Sequence, residues 1–136
     1  MRSIILLAFI VAIGTIACAK MRPGFNTYDA VYNNAIIFDN DHTLTMTGVV
    51  EDSRCPIGIQ CTWAGQAVIG FRAIANNADT VEFDLYLGDE ITGPRDTVLY
   101  DEYLIQLWHV APARELDQEL TDEDYTCRVL VQKMHK

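Results

Sequence analysis

The sequence predicts an all-β protein, either an antiparallel β-sandwich or a small barrel of about seven strands. Three observations support this prediction. Apolar and polar side chains alternate along several segments, Gly, Pro and Asx residues separate these segments, and two closely spaced cysteines lie behind an apolar N-terminal run. Strict alternation is typical of strands that place one face on a core and the other in water, and no long helical pattern intervenes.

The alternation is clearest in residues 81–87, where Val81, Phe83 and Leu85 are separated by carboxylates. Three threonines alternate with Leu44 and Met46 in the same way, and β-branched side chains favour the pleated surface of a strand. The predicted strands lie near residues 35–38, 43–51, 62–75, 81–87, 96–99, 103–110 and 124–134, with a short helix or an irregular loop at 113–120.

The N-terminal residues match a secretory signal. Arg2 precedes an apolar run over residues 4–13, and the small residues at 17–19 suit cleavage after residue 19. The run is shorter than the roughly 20 apolar residues of a membrane span. A bacterial lipoprotein signal over residues 1–17, with Cys18 as the lipid anchor, stays open as an alternative.

The chain is therefore expected to be exported and to be periplasmic, secreted or lipid-anchored. The predicted organisation is a signal peptide at 1–19, a lead-in segment at 20–34 and a single β domain at 35–136. A contact with the membrane is expected only through a lipid at Cys18.

The chain is acidic, with 10 Lys and Arg residues against 19 Asp and Glu residues and a formal net charge of −9. Binding of nucleic acid is not expected, because phosphates require clustered cations. A modest group of carboxylates lies in residues 115–124. We interpret it as a solvated surface that favours solubility, with weak cation binding as the alternative.

The cysteines predict one disulfide. Cys55 and Cys61 are separated by five residues that include Pro56 and Gly58, and an exported domain folds under oxidising conditions. Cys127 is in phase with apolar residues of the last strand, which predicts a buried free thiol. A bond from Cys127 to one of the other two cysteines stays open.

Neighbouring residues predict how the loop around this disulfide is held. Asp52 can accept hydrogen bonds from the backbone of the turn, and Arg54 can form a bidentate pair with a carboxylate. Trp63 is in phase with Cys61 and with the apolar residues that follow, which predicts an indole in the core; a ligand platform is the alternative. Gly65 predicts a bend or a close backbone approach.

The segments D-S-R-C-P at 52–56 and C-T-W-A-G at 61–65 resemble the signature of a group of small exported bacterial proteins and lipoproteins. The similarity extends over roughly residues 38–131 and is specific over the central fifteen or so. It implies export and a β domain. No established activity accompanies the group, so the resemblance implies no catalytic residue.

Enzyme motifs do not occur in the sequence. There is no G-x-S-x-G, H-E-x-x-H, C-x-x-C or Gly-rich phosphate loop, and the histidines show no ligand spacing for a metal. We therefore predict no catalytic residue, no metal and no cofactor.

Two functional classes remain at this stage. The first is a non-enzymatic binding or structural domain that contacts a protein or a glycan. Its candidate binding loop consists of Arg54, Pro56, Ile57, Gly58, Ile59 and Gln60. Two interpretations of Ile57 and Ile59 stay open: at least one is exposed for contact, because the ring is too small to bury both, or the ring only caps the end of the sandwich and packs both inward. The second class is a small secreted hydrolase that uses dispersed acidic residues.

Overall fold

The computed structural model describes residues 24–63, 65–75, 79–88 and 96–134. The predicted signal peptide and the candidate anchor Cys18 lie outside the described residues. Within the described ranges, no helix is long and apolar enough to cross a membrane.

Eight strands and one short 3₁₀ turn make up the described secondary structure. They are β1 (Asn26–Val31), β2 (Ala35–Asp39), β3 (His42–Asp52), β4 (Ala67–Ala75), β5 (Asp79–Leu87), β6 (Thr97–Tyr100), β7 (Tyr103–Ala111), the 3₁₀ turn (Asp122–Asp124) and β8 (Thr126–Lys133).

The strands form two antiparallel sheets of four strands each. Sheet I has the order β1-β8-β7-β6, and sheet II has the order β2-β3-β4-β5. Neither sheet closes on itself in the described part of the chain. The predicted all-β fold is therefore confirmed, and its architecture is that of a sandwich and not of a barrel.

The core lies between the two sheets because alternate residues of each strand face inward. Phe71 pairs with Met46 on one side and with Phe83 on the other, so these three side chains share the inner face of sheet II. Ile105 and Val131 pair in the same way on sheet I. Fully buried side chains from both sheets include Leu44, Met46, Ile69, Phe71, Leu85, Ile105, Leu107, Val110, Cys127 and Val129.

The structure differs from the prediction in the lead-in segment. The predicted lead-in contains β1, which forms an edge of sheet I beside β8. Its alternation is weak in the sequence because only Ala30 is buried, with Tyr28 packed against the core. Residues 113–120 form an irregular loop, which is one of the two predicted alternatives, and the described helical turn comes later, at Asp122–Asp124.

The prediction of Trp63 as a core residue is wrong. The side chain is 59% exposed, because β4 begins at Ala67 and not near residue 62. Gly65 interrupts the strand with a φ of +63°, and a Cβ atom there would lie 2.2 Å from the carbonyl oxygen of Ser53. The sequence predicted this close approach. Because the backbone at Gly65 is not extended, the in–out alternation of side chains along β4 does not continue back to Trp63.

Candidate functional site at the disulfide loop

The candidate site is the connection between β3 and β4, residues 53–66, which we call the disulfide loop. Cys55 and Cys61 are bonded, as predicted. Between them the chain makes a tight turn in which the backbone N–H of Ile59 donates to the carbonyl of Pro56 over 3.2 Å. Gly58 occupies the turn at φ +79°, a conformation that side-chain-bearing residues rarely adopt.

Arg54 forms the predicted bidentate pair with a carboxylate at the base of the loop, and that carboxylate belongs to Asp52. The guanidinium donates from Nε to Oδ1 and from Nη2 to Oδ2, each over 2.8 Å. Oδ1 also accepts the backbone N–H of Arg54 at 3.2 Å, which is the predicted turn contact. The two side chains are 11% and 8% exposed, so this is a largely buried pair with fixed geometry.

The same guanidinium joins the two sheets. Nη1 donates to the carbonyl of Val110 over 2.7 Å, and Nη2 donates to that of Pro112 over 2.8 Å. Val110 is near the end of β7 in sheet I, whereas Asp52 ends β3 in sheet II. The hydroxyl of Tyr125 completes the cluster by donating to Asp52 Oδ2 over 3.0 Å. We call Asp52, Arg54 and Tyr125 the arginine clamp.

The electrostatics of the arginine clamp keep its groups in one protonation state at neutral pH. Burial alone would raise the pKa of Asp52, but the hydrogen bonds and charge of Arg54, with the Tyr125 hydroxyl, outweigh burial and lower it. Burial and the neighbouring Asp52 raise the pKa of Tyr125 to about 12. The arginine clamp is therefore a structural tie and is not arranged to exchange a proton.

A second set of contacts fixes the disulfide loop against the segment that follows β7. The backbone N–H of Ile57 donates to the carbonyl of Arg114 over 2.9 Å. The Arg114 side chain donates from Nη1 to the carbonyl of Arg54 over 3.3 Å. The loop is thus held by the disulfide, by the arginine clamp and by a neighbouring loop, which leaves it few conformations.

The apolar side chains of this fixed loop face solvent. Ile57 is 64% exposed and Ile59 is 47% exposed, so the expectation that at least one would be exposed is confirmed and the inward-packing alternative is wrong. Trp63 is exposed beside them in the sequence, and its Nε1 donates to the carbonyl of Ser53 over 3.3 Å. Gly58 and Gln60 are also exposed, whereas Pro56 is half-buried.

Cys127 is a buried free thiol, as predicted. Its Sγ lies 3.7 Å from Sδ of Met46, between the two sheets. Burial raises the pKa of the thiol to about 12, against a small opposing effect of the Arg54 charge. At neutral pH the group stays protonated and unreactive.

A second polar cluster, at the opposite end of the sandwich, was missed by the sequence analysis. Nε2 of buried His42 lies 3.1 Å from Oδ2 of Asp101. Its Nδ1 lies 3.9 Å from Oδ2 of Asp39 and has no hydrogen-bond partner in the described part of the chain. Tyr103 donates its hydroxyl to Asp39, and Lys133 lies 3.8 Å from the same carboxylate. We call these five residues the histidine cluster.

The histidine cluster combines residues from both sheets and from one turn, so no short motif encodes it. One signal was present: His42 is in phase with the core residues Leu44 and Met46 on β3, which indicates an inward-facing histidine. The Tyr103 hydroxyl is the largest influence that lowers the pKa of Asp39. Burial raises the pKa of Tyr103 most, and the hydrogen bond to Asp39 raises it further.

No group of three or more His, Cys, Asp or Glu side chains among the described residues is arranged to hold a metal ion. No protein-family model, no curated protein and no solved structure matches the chain.

Proposed function

We propose that the chain is an exported, non-enzymatic binding domain of the cell envelope or the extracellular space. In this proposal the disulfide loop contacts a protein or a glycan through residues 56–60, whereas Arg54, which the sequence analysis included in the candidate binding loop, is largely buried and holds the loop in place. The observation that carries it is the exposure of Ile57 and Ile59 on a loop that is fixed by three independent sets of contacts.

Rigid presentation favours binding for a physical reason. Association normally requires the interface side chains and loops to lose conformational freedom, which opposes binding by about 0.5 to 1.5 kcal/mol per ordered side chain. A loop that the fold already holds in place avoids part of this loss. Exposed apolar side chains grouped on such a loop provide contact area that water hydrates poorly.

The alternative, a hydrolase with dispersed acidic residues, receives less support from the electrostatics. Among the described carboxyls, those with a shifted pKa are Asp39, Asp52 and Asp124, and all three pKa values are lowered. The general acid of a glycoside hydrolase requires a raised pKa.

The proposal is tested by recovering the partner from the native cell envelope with a tagged protein. The variant Ile57→Ser/Ile59→Ser should fold with nearly unchanged stability, because both side chains are exposed, and should lose recovery of the partner. The matched control is Ile37→Ser/Leu99→Ser, which removes comparably exposed apolar side chains away from the loop and should retain recovery. Undiminished recovery with the first variant would exclude the contact role.

A further inference from the structure

We infer that the partner of the disulfide loop is a cationic, amphipathic polypeptide segment, one in which Lys or Arg side chains flank apolar side chains. This inference rests on the proposed function of the loop and specifies the chemistry of what the loop contacts. It combines two observations, an exposed apolar surface and a surrounding negative charge, which together select one class of occupant.

The apolar surface extends beyond the disulfide loop. Leu116 is 64% exposed. It lies two residues after Arg114, whose carbonyl accepts the N–H of Ile57. Two residues span at most about 7 Å of chain, so Leu116 lies next to the loop. The exposed side chains of this surface are Ile57, Ile59, Trp63 and Leu116.

The segment that contacts the loop through Arg114 is strongly acidic. Residues 110–124 contain six carboxylates and one arginine. Glu115, Asp117, Glu119 and Glu123 among them are exposed. The arginine is Arg114, which the loop already engages through its hydrogen bond to the Arg54 carbonyl. Glu115 and Asp117 flank Leu116 in the chain, so negative charge borders the apolar surface where Leu116 contributes to it.

The other cations of the described residues do not neutralise this border. Arg54 is paired with Asp52 inside the arginine clamp. Arg72 pairs with Glu82, Arg128 with Asp29, and Lys133 with Glu102, on the sheet surfaces and at the far end of the sandwich.

Charge complementarity then selects the occupant. A polypeptide with basic side chains around apolar ones would match both features, and its association would be accelerated by the field and weakened by salt. The negative charge would add no affinity for a neutral glycan, and it would repel an anionic lipid surface. The apolar contact would supply most of the lifetime of the complex, and the charged border would supply the rate and the selectivity.

The test uses two synthetic twelve-residue peptides with the same pattern of leucines, one with lysine and one with glutamine at the polar positions. Dissociation constants are measured by titration calorimetry with the folded protein, and the binding site is mapped by amide chemical-shift changes. We expect shifts at the disulfide loop and at residues 114–119. The lysine peptide should bind about tenfold more tightly than the glutamine peptide at 50 mM NaCl, and this difference should vanish near 1 M NaCl, where charges are screened within about 3 Å.

Two variants separate the charge from the apolar contact. Glu115→Gln/Asp117→Asn/Glu119→Gln should remove the tenfold preference for lysine and leave binding of the glutamine peptide unchanged. The control Glu82→Gln, which removes a carboxylate from another surface, should retain the preference. Ile57→Ser/Ile59→Ser should weaken binding of both peptides.

The outcomes distinguish this inference from the proposed function. If both peptides bind equally at the loop, or if the triple carboxylate variant recovers the native partner as well as the unmodified protein, the cationic class is wrong and the contact role of the loop stands. If Ile57→Ser/Ile59→Ser has no effect on either peptide or on the native partner, both are wrong.

Discussion

The two ends of the sandwich join the same two sheets with different chemistry. At one end, the arginine clamp joins the sheets with a permanent cation and backbone carbonyls, and the disulfide closes a ring in the adjoining loop, whose apolar side chains face solvent. At the other end, the histidine cluster uses titratable side chains packed with aromatic rings, His42 lying 4.9 Å from Tyr103 between ring centroids. The first end fixes a surface for contact, and the second closes the core.

The largest effect should come from Arg54→Met, which keeps the length of the side chain and removes its charge. The variant leaves Asp52 buried without a cation and removes the donors to Val110 and Pro112. We expect the free energy of unfolding to fall by about 3 to 5 kcal/mol, measured by urea denaturation. The control Arg72→Met removes an exposed ion pair, and its free energy of unfolding should fall by less than about 1 kcal/mol.

The double variant Arg54→Met/Asp52→Leu sharpens this test, because it removes both charges together. It should recover part of the loss, since replacing both partners of a buried pair by apolar groups leaves no unpaired charge. Equal losses for Arg54→Met and Arg72→Met would show that the arginine clamp does not hold the sheets.

At the opposite end, His42→Ala should lower the free energy of unfolding by about 2 to 3 kcal/mol. The variant removes a buried ring and leaves a cavity beside Phe38 and Tyr103, and it deletes the contact with Asp101. The exposed Leu99→Ala serves as the control and should change the value by no more than about 0.5 kcal/mol. Retained partner binding by folded His42→Ala protein would support the division of roles; a selective loss of binding would contradict it.

Removal of the disulfide should have a slightly smaller effect. Cys55→Ser/Cys61→Ser opens a ring with a sequence separation of six, and a ring of this size stabilises by about 2 kcal/mol through the entropy of the unfolded chain. The sandwich should remain folded, which circular dichroism can verify, because the arginine clamp is still present. A global loss of structure would mean that the arginine clamp cannot hold the two sheets together once the ring is open.

The pH dependence at the loop end follows from the lowered pKa of Asp52. A carboxyl with a lower pKa in the folded state contributes stability above its unfolded pKa of about 3.9, and this contribution is lost as the pH falls through the folded value. Unfolding curves between pH 7 and pH 2 should show stability falling below about pH 4. The fall should be shallower in Asp52→Asn, and identical slopes for the two proteins would refute the assignment.

The smallest effect should come from Trp63→Ala. The indole is exposed and contributes one hydrogen bond to the Ser53 carbonyl, so the loss of stability should stay below about 1 kcal/mol. Thermal unfolding would detect a larger change. A loss of about 3 kcal/mol or more, as for a buried tryptophan, would place the side chain in the core after all.

The sequence predicted well what depends on neighbouring residues and poorly what depends on distant ones. The disulfide connects residues six positions apart, so spacing and chemistry sufficed. The bidentate pair of Arg54 was predicted from its chemistry alone, and its carboxylate proved to be Asp52, two positions away. The two backbone carbonyls that Arg54 reaches lie 56 and 58 residues away, and the histidine cluster likewise assembles only after folding. No local pattern contains either.

The errors have physical causes that the sequence contains only in part. Trp63 was assigned to the core because its phase was counted across Gly65, whose left-handed conformation ends that phase. Strand β1 was missed because an edge strand with one fully buried residue shows little alternation. A glycine between a loop and a strand should therefore stop any count of strand phase.

The burial of Cys127 also protects the pairing of the cysteines. Three cysteines of the β domain allow three different single bonds, and rearrangement among them requires a thiolate that can reach a sulfur of the existing bond. In the folded protein the remaining thiol is sealed between the sheets and held in its protonated form. The closed sandwich therefore slows disulfide exchange, because Cys127 can attack the Cys55–Cys61 bond only after the two sheets separate.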